Sequence, residues 1–115
     1  MQHPLVLPDL LTWDDRYQDL PWQPFRPGVD IHYLYRAESG ASAALLRYQP
    51  GAQVPQHRHT GHEHIIVLSG SQSDERDRYS AGTVVINPPD TEHDVMSVDG
   101  CIVLIIWEKP VELCP

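Results

Sequence analysis

The stretch HRHTGHEHIIVLSG, residues 57–70, places four imidazoles and a carboxylate in its first eight positions, with a strand-like apolar run directly behind them. Imidazole nitrogens and carboxylate oxygens are donor atoms that transition metals take from proteins. Along an extended chain alternate side chains share a face, with i and i+2 roughly 6–7 Å apart. His57, His59 and Glu63 are all odd-numbered, as are Ile65 and Val67, so regular pairing turns all five toward one core. His62 and His64 then point the other way. Two inward imidazoles and a carboxylate are costly when dry and unpaired, and a divalent cation removes that cost. Side chains of one strand run too nearly parallel to surround an ion. A donor from a second strand is needed, and His93, after the tight NPPDTEH turn, is the candidate.

Other side chains on the surrounding runs are candidates for the same interior: Tyr33, Tyr35, Arg47, Tyr48, Gln53 and Trp107. An inward Arg47 would hold a carboxylate substrate by a bidentate pair, but an edge charge or a strut under the sheet is the preferred reading. Glu92 and Asp94 flank His93 and are expected to point away from it. The run SQSDERDRY reads as a solvated surface hairpin, and Cys101 as a small apolar core residue. No general base is legible apart from the four donors.

The spacing reads Gly51-x5-His57-x-His59-x3-Glu63-x6-Gly70, followed by Gly82-x5-Pro88-x-Asp90-x2-His93-x3-Ser97. Both halves resemble the two motifs of the cupin superfamily, small β-barrels with a metal at the centre. The first motif matches at every defined position. The second has Asp90 at the usual glycine and Ser97 at the usual asparagine; aspartate tolerates a left-handed backbone better than most residues, so the turn survives. A narrower resemblance lies in the VLSG, SDE, Tyr79-x-Ala81-Gly82 and NPP pieces and in the Gly100-Cys101 opening of the last long strand. These are similar to the cupin domain of ChrR-type anti-sigma factors, which implies zinc bound by three histidines and one glutamate at His57, His59, Glu63 and His93. Anti-sigma factors of that type also carry a separate N-terminal domain with its own His/Cys zinc site. Two cysteines in 115 residues leave no room for it, so only the cupin half is expected to carry over.

The resemblance implies an all-β, single-domain double-stranded β-helix, a jelly-roll barrel over residues 29–115. Residues 1–28 form an extended N-terminal arm on the barrel or on a partner subunit. Residues 12–18 are long enough for a turn or two of helix. Leu5, Leu7, Leu10, Trp13, Trp22 and Phe25 are the arm's apolar anchors. Beyond it, short alternating runs are divided by turn signals: Pro50-Gly51 fits a type II turn, Asp99-Gly100 a hairpin, and Cys101 to Trp107 a central strand buried on both faces.

Composition narrows the function. Sixteen acids against eight bases give a net charge of −8, which argues against nucleic acid and anionic membrane surfaces. Two isolated cysteines and no signal-like N-terminus point to a reduced, cytoplasmic setting. Three imidazoles and one carboxylate suit one divalent transition metal per subunit, zinc, iron, manganese, nickel or cobalt. Four ligands on an octahedral ion leave two positions for a small molecule. The expected function is a metal-binding cupin that takes a small molecule in its barrel, with dioxygenase or isomerase chemistry open to it. The alternative is a non-catalytic zinc sensor or regulatory module. A homodimer is expected, because the apolar arm needs cover.

Overall fold

The computed structural model describes residues 3–114; residues 1, 2 and 115, at the outer ends of the two expected segments, lie outside that range. Ten strands follow in order: β1 Gln23–Arg26, β2 Val29–Arg36, β3 Ser42–Tyr48, β4 Gln53–Arg58, β5 Glu63–Ser73, β6 Arg78–Ser80, β7 Val84–Asn87, β8 Glu92–Met96, β9 Cys101–Trp107 and β10 Glu112–Leu113. The long strand β5 joins two sheets. From Glu63 to Gly70 it pairs with β9, and its first four residues also pair with β7. From Ser71 to Ser73 it pairs with β6 and touches β8. One sheet therefore runs β1-β2-β3-β9-β5-β7 and the other β5-β8-β4-β10. The two curl around one apolar core that includes Val29, Ile31, Leu46, Ile65, Val67, Val95, Val103 and Ile105.

Strand β9, expected to be buried on both faces, has no exposed residue, but its two faces differ in depth. It alternates: Cys101, Val103, Ile105 and Trp107 face the barrel, while Ile102, Leu104 and Ile106 are only half-buried. The arm covers that outer face. Two short 3-10 helices, Leu10–Thr12 and Asp14–Asp19, set Trp13 and Tyr17 against Leu45 and Leu68, with Leu7, Leu10, Leu20 and Trp22 around them. Each buried indole finds an acceptor: Trp13 Nε1 donates to the Pro8 carbonyl and Trp22 Nε1 to the Tyr17 carbonyl, both at 2.7 Å. Most of the arm's apolar anchors thus find cover on the same chain, so their burial needs no partner subunit. Leu5 does not and stays exposed. Strand β1 brings the end of the arm into the sheet, and Phe25 packs on the main core.

Two turns decide how the sheets connect. Pro50-Gly51 forms the expected turn, with Gly51 at φ 83° and the Ala52 N–H donating to the Gln49 carbonyl at 3.0 Å. Asp99-Gly100 does not close a hairpin: β8 and β9 are not partners, and β5 neighbours both. The dipeptide supplies a left-handed bend, Gly100 at φ 85°, that carries the chain from one sheet to the other. That bend lies against Gly70, also left-handed at φ 73°, where an added Cβ would stand 2.1 Å from the Gly100 carbonyl oxygen. Among the described residues no helix is long and apolar enough to cross a membrane.

Gly70→Ala should therefore lose both its backbone conformation and its space, lowering stability by more than about 1 kcal/mol. Gly82→Ala, at φ 92° with nothing within 4 Å of its Cβ position, tests strain alone and should cost less. Urea midpoints of the two variants check the order.

Candidate metal centre

The structure brings His57, His59, Glu63 and His93 to one buried point, with one donor atom of each lying within 4.8 Å of the others. The face-sharing of three odd-numbered residues on one strand is not the reason. Strand β4 carries a bulge: Val54 pairs with Val95 but His57 with His93, one residue out of step. Pro55 lies in that bulge and has no N–H to give a ladder, the usual place for proline in a sheet. The extra residue turns His57 inward beside Val54 instead of outward. His57 and His93 become direct cross-strand neighbours, ring centroids 4.5 Å apart and Nε2 atoms 2.9 Å apart.

His59 lies beyond the end of β4. Its backbone is clamped by the turn before β8: His59 N–H donates to the Thr91 carbonyl at 2.9 Å, and Asp90 N–H donates to the His59 carbonyl at 2.8 Å. Asp90 adopts φ 69°, the left-handed geometry that the turn demands. Between His59 and Glu63 the chain crosses to the other sheet, and Glu63 is the first residue of β5. The four side chains therefore come from β4, the segment after it, β5 and β8. Opposed elements, not one strand, make them converge.

The outer nitrogens of the imidazoles fix their proton positions. His57 Nδ1 lies 3.0 Å from the Pro55 carbonyl, an acceptor only, so Nδ1 carries the hydrogen. His59 Nδ1 lies 2.9 Å from Thr91 Oγ1, whose own proton goes to the Pro88 carbonyl at 2.7 Å; the hydroxyl must therefore accept from Nδ1–H. In both neutral rings Nε2 then keeps its lone pair and points at the common centre. His93 Nδ1 faces Asp74 Oδ2 at 3.9 Å, an electrostatic contact beyond hydrogen-bond length.

Glu63 is held from both sides. Its register partners are Asn87 on β7 and Trp107 on β9. Asn87 Nδ2 donates to Oε1 at 3.1 Å and Trp107 Nε1 donates to Oε2 at 2.7 Å. Oε1 also faces His59 Nε2 at 3.1 Å and His93 Nε2 at 3.7 Å. Burial pushes the Glu63 pKa up, but contact with the His59 ring, the Trp107 N–H bond and the nearby His93 ring outweigh it, and the net direction is down. Burial and the neighbouring His57 lower His93 to about 4. A carboxylate held ionised among neutral imidazoles is compatible with one divalent metal. His59 Nε2 is buried with no hydrogen-bond partner of its own, as a ligand atom would be.

Sequence similarity places this arrangement among known proteins. Residues 15–111 match the family described as the ChrR cupin-like domain. The chain belongs to this family. It is 35% identical over 99 residues to the anti-sigma-E factor ChrR of Cereibacter sphaeroides, covering 84% of the chain but only 46% of that relative. The chain thus spans about half the length of the curated relative it matches. Among solved structures, the Rhodobacter sphaeroides SigE complex with the anti-sigma ChrR superposes with a TM-score of 0.71 at 26% identity, over 93% of this chain and 70% of that one. An RmlC-like cupin protein from Ralstonia eutropha gives 0.73 at 27% identity, over 82% and 66%. An acetylacetone dioxygenase from Acinetobacter johnsonii gives 0.79 over 100% and 79%, but at 12% identity it speaks for the cupin fold alone.

Within this cupin frame the remaining expectations divide. His62 and His64 lie outside the cluster; His62 pairs with Glu108 at 3.3 Å. Glu92 and Asp94 point outward beside the buried His93. Ser97 is buried, and its hydroxyl donates to the Ser71 carbonyl at 2.6 Å. Arg47 is a strut: it pairs with Asp30 at 2.7 Å and its guanidinium lies over the Trp22 ring. Tyr35 is exposed and Gln53 lies outside, whereas Tyr48 and Trp107 face the interior. The run SQSDERDRY, expected as a solvated hairpin, is not wholly so: Ser71 and Gln72, at the end of β5, and the Asp74 side chain are buried. Asp74, Asn87 and Thr91 escaped sequence reasoning. Asn87 was findable from its place one strand from Glu63; Asp74 looked like one more acid in a charged run.

His93 sets a pH dependence for the metal-free protein. Folded, its pKa stands near 4 rather than 6.5, so between those values the unfolded chain binds the extra proton. Stability contributed by neutral His93 is present above the unfolded value and is lost as pH falls through this window. Urea midpoints of the metal-free protein at neutral and at mildly acidic pH should fall accordingly, and His93→Gln should flatten the fall.

Proposed function

We propose that the chain is a metal-binding cupin domain that holds one divalent transition metal through His57, His59, Glu63 and His93 and binds a small molecule on the side of that centre facing the barrel cavity. The observation that carries this reading is the convergence of three imidazoles, two of them oriented through Nδ1, and one ionised carboxylate. The spacing supports it. Two donors opposite one another across an ion with bonds near 2.1 Å stand about 4.2 Å apart, and adjacent octahedral positions about 3.0 Å. The largest separation here is 4.8 Å, and the closest pairs stand at 2.9 and 3.1 Å. A closing movement of a few tenths of an ångström per side chain gathers all four.

A small cavity of about 30 Å³ opens beside the centre, lined by His57, Glu63 and His93 on one wall and by Leu46, Ile65, Val95 and Ile105 on others, and a small molecule would reach the centre from its open side. Bound there, the metal would supply Lewis acidity to an oxygen donor entering from the cavity. The chain's own residues supply exclusion of water and hydrogen-bond donors. Tyr48 is pushed above the ordinary phenol range by burial, so it stays protonated and donates rather than abstracts. Dioxygenase or isomerase chemistry would therefore depend on the metal and on Glu63, with no separate base beside them.

The family favours a second reading. A relative that is an anti-sigma factor, and its structure in complex with SigE, support a regulatory module whose metal or ligand state is sensed by a partner. The two readings part on turnover. Metal-dependent consumption of dioxygen or isomerisation of a bound compound marks an enzyme. Tight ligand binding that alters association with a sigma factor, without turnover, marks a regulator.

His57→Ala and Glu63→Ala should each abolish stoichiometric metal in elemental analysis of the purified protein, while His62→Ala retains it. Full metal in Glu63→Ala would move the centre elsewhere. Thr91→Val, which removes the acceptor that orients His59, should weaken metal affinity by about 10- to 100-fold in a competition with a chelator.

A further inference from the structure

Arg26 ends β1, the strand that the arm contributes to the sheet, and it lines the same cavity as His57, Glu63 and His93. Its Nε is buried without a hydrogen-bond partner. Among the described residues Arg47 and Arg78 each pair with one acid and Arg58 with two, whereas Arg16, Arg26, Arg36 and Arg76 have none within ion-pair distance; of these four only Arg26 has a buried nitrogen without a partner. Its one specific neighbour is the Phe25 ring, with the guanidinium 5.0 Å from the ring centroid. In a chain with sixteen acids and a net charge of −8, a cation kept clear of carboxylates at a cavity mouth is a feature to be explained.

Arg47, the arginine that the sequence offers for anchoring a carboxylate, is taken out of play by its pairing with Asp30. Arg26 has what Arg47 lacks: a planar, always-charged group without an acid partner, on a residue that lines the cavity. The rest of the cavity is apolar, apart from the donors Tyr48 and Gln72. With a divalent ion on three neutral imidazoles and one carboxylate, the centre would carry one net positive charge, and Arg26 adds a second. A small, mostly apolar space lined by Arg26 and by the proposed centre suits a short organic acid.

We propose that Arg26 is a substrate-binding residue that anchors the carboxylate of a small organic acid, whose second oxygen, a carbonyl, hydroxyl or second carboxylate, is directed at the His57–His59–Glu63–His93 centre. This rests on the metal reading above for the second oxygen, while the carboxylate contact at Arg26 stands on the cavity alone. Phe25 stiffens the guanidinium from one side, and the apolar walls accommodate a short hydrocarbon linker. A carboxylate can pair with a guanidinium in bidentate fashion, which a neutral analogue cannot do.

The test uses the full chain, metal-loaded and chelator-stripped, titrated with pyruvate, propionate and the neutral propionamide. The Trp107 indole N–H, which points at Glu63 on the cavity wall, is the NMR reporter. Both acids should shift it and propionamide should not. Arg26→Gln should weaken both acids by about tenfold or more, the loss expected for a charge-assisted hydrogen-bonded pair, and Arg26→Lys by less. Metal content of Arg26→Gln should equal wild type, which separates this site from the metal centre. Pyruvate should lose more affinity than propionate when the metal is stripped. Equal binding of acid and amide, unchanged affinity in Arg26→Gln, or no binding of either acid would overturn the assignment of Arg26. Loss of the pyruvate preference for metal-loaded protein, with Arg26 dependence intact, would overturn only the metal half.

Discussion

A carboxylate has been placed inside a barrel of hydrocarbon, and the structure around it is arranged so that it stays ionised. Glu63 is the first residue of the strand shared by both sheets, and its two strand neighbours each offer it a proton donor, Asn87 on one side and Trp107 on the other. An ionised carboxylate taken out of water without partners would be severely penalised or would take up a proton instead. Here both oxygens are bonded and one still faces two imidazole nitrogens. The register of β7, β5 and β9 is therefore also a requirement of the site. A one-residue slip in either pairing would turn a donor to the other face and strip the carboxylate of half its support.

The imidazoles follow the same logic through the backbone. The proline-containing bulge in β4 turns His57 inward and also presents the Pro55 carbonyl to its Nδ1, so one local irregularity sets both ring direction and tautomer. The turn before β8 does the same for His59. Left-handed Asp90 lets the chain fold back so that the Thr91 carbonyl takes the His59 amide hydrogen and the Thr91 hydroxyl takes the ring hydrogen. Arg58, pointing outward, ties the turn down through Asp90 at 2.8 Å and Glu112 at 2.9 Å. These exposed pairs add little stability by themselves. Their use is to limit where the turn can lie, and with it the ring of His59.

Much of this was legible in the residues, though not for the reasons that parity suggests. The four ligand candidates were named by type and spacing, and they do meet. The odd-numbered residues from His57 to Val67 do turn inward, but not along one regular strand: a bulge before His57 sets its direction, and the chain crosses between sheets before Glu63; a bulge leaves no periodic trace except Pro55 itself. Asp99-Gly100 carries the strongest two-residue hairpin signal, yet a left-handed bend serves equally well to pass between sheets. Local turn chemistry cannot report which strands will be partners. Asp74 was hidden for a related reason. Its backbone lies in a charged hairpin, but its carboxylate turns back to accept from the amides of Arg76 and Asp77 and from the Tyr79 hydroxyl, which holds it near His93. Nothing in a run of acids distinguishes the one that folds inward.

The arm connects these threads. It does not belong to the two motif segments, and its first part serves only to cover the outer face of the β3-β9-β5 sheet with Trp13, Tyr17 and their neighbours. That cover lets β9 be apolar on both faces while the barrel side stays the more deeply buried. At its other end the arm becomes β1, adding a strand beyond β2 and bringing Phe25 and Arg26 to the cavity mouth. The motif residues sit deep in the barrel and can define a metal centre without defining what approaches it. If the centre holds a metal and Arg26 holds a ligand, as proposed, the two are built by different parts of the sequence. Substitutions in β1 would then act on what enters the cavity without disturbing the bulge, the turn or the register on which the four inner side chains depend.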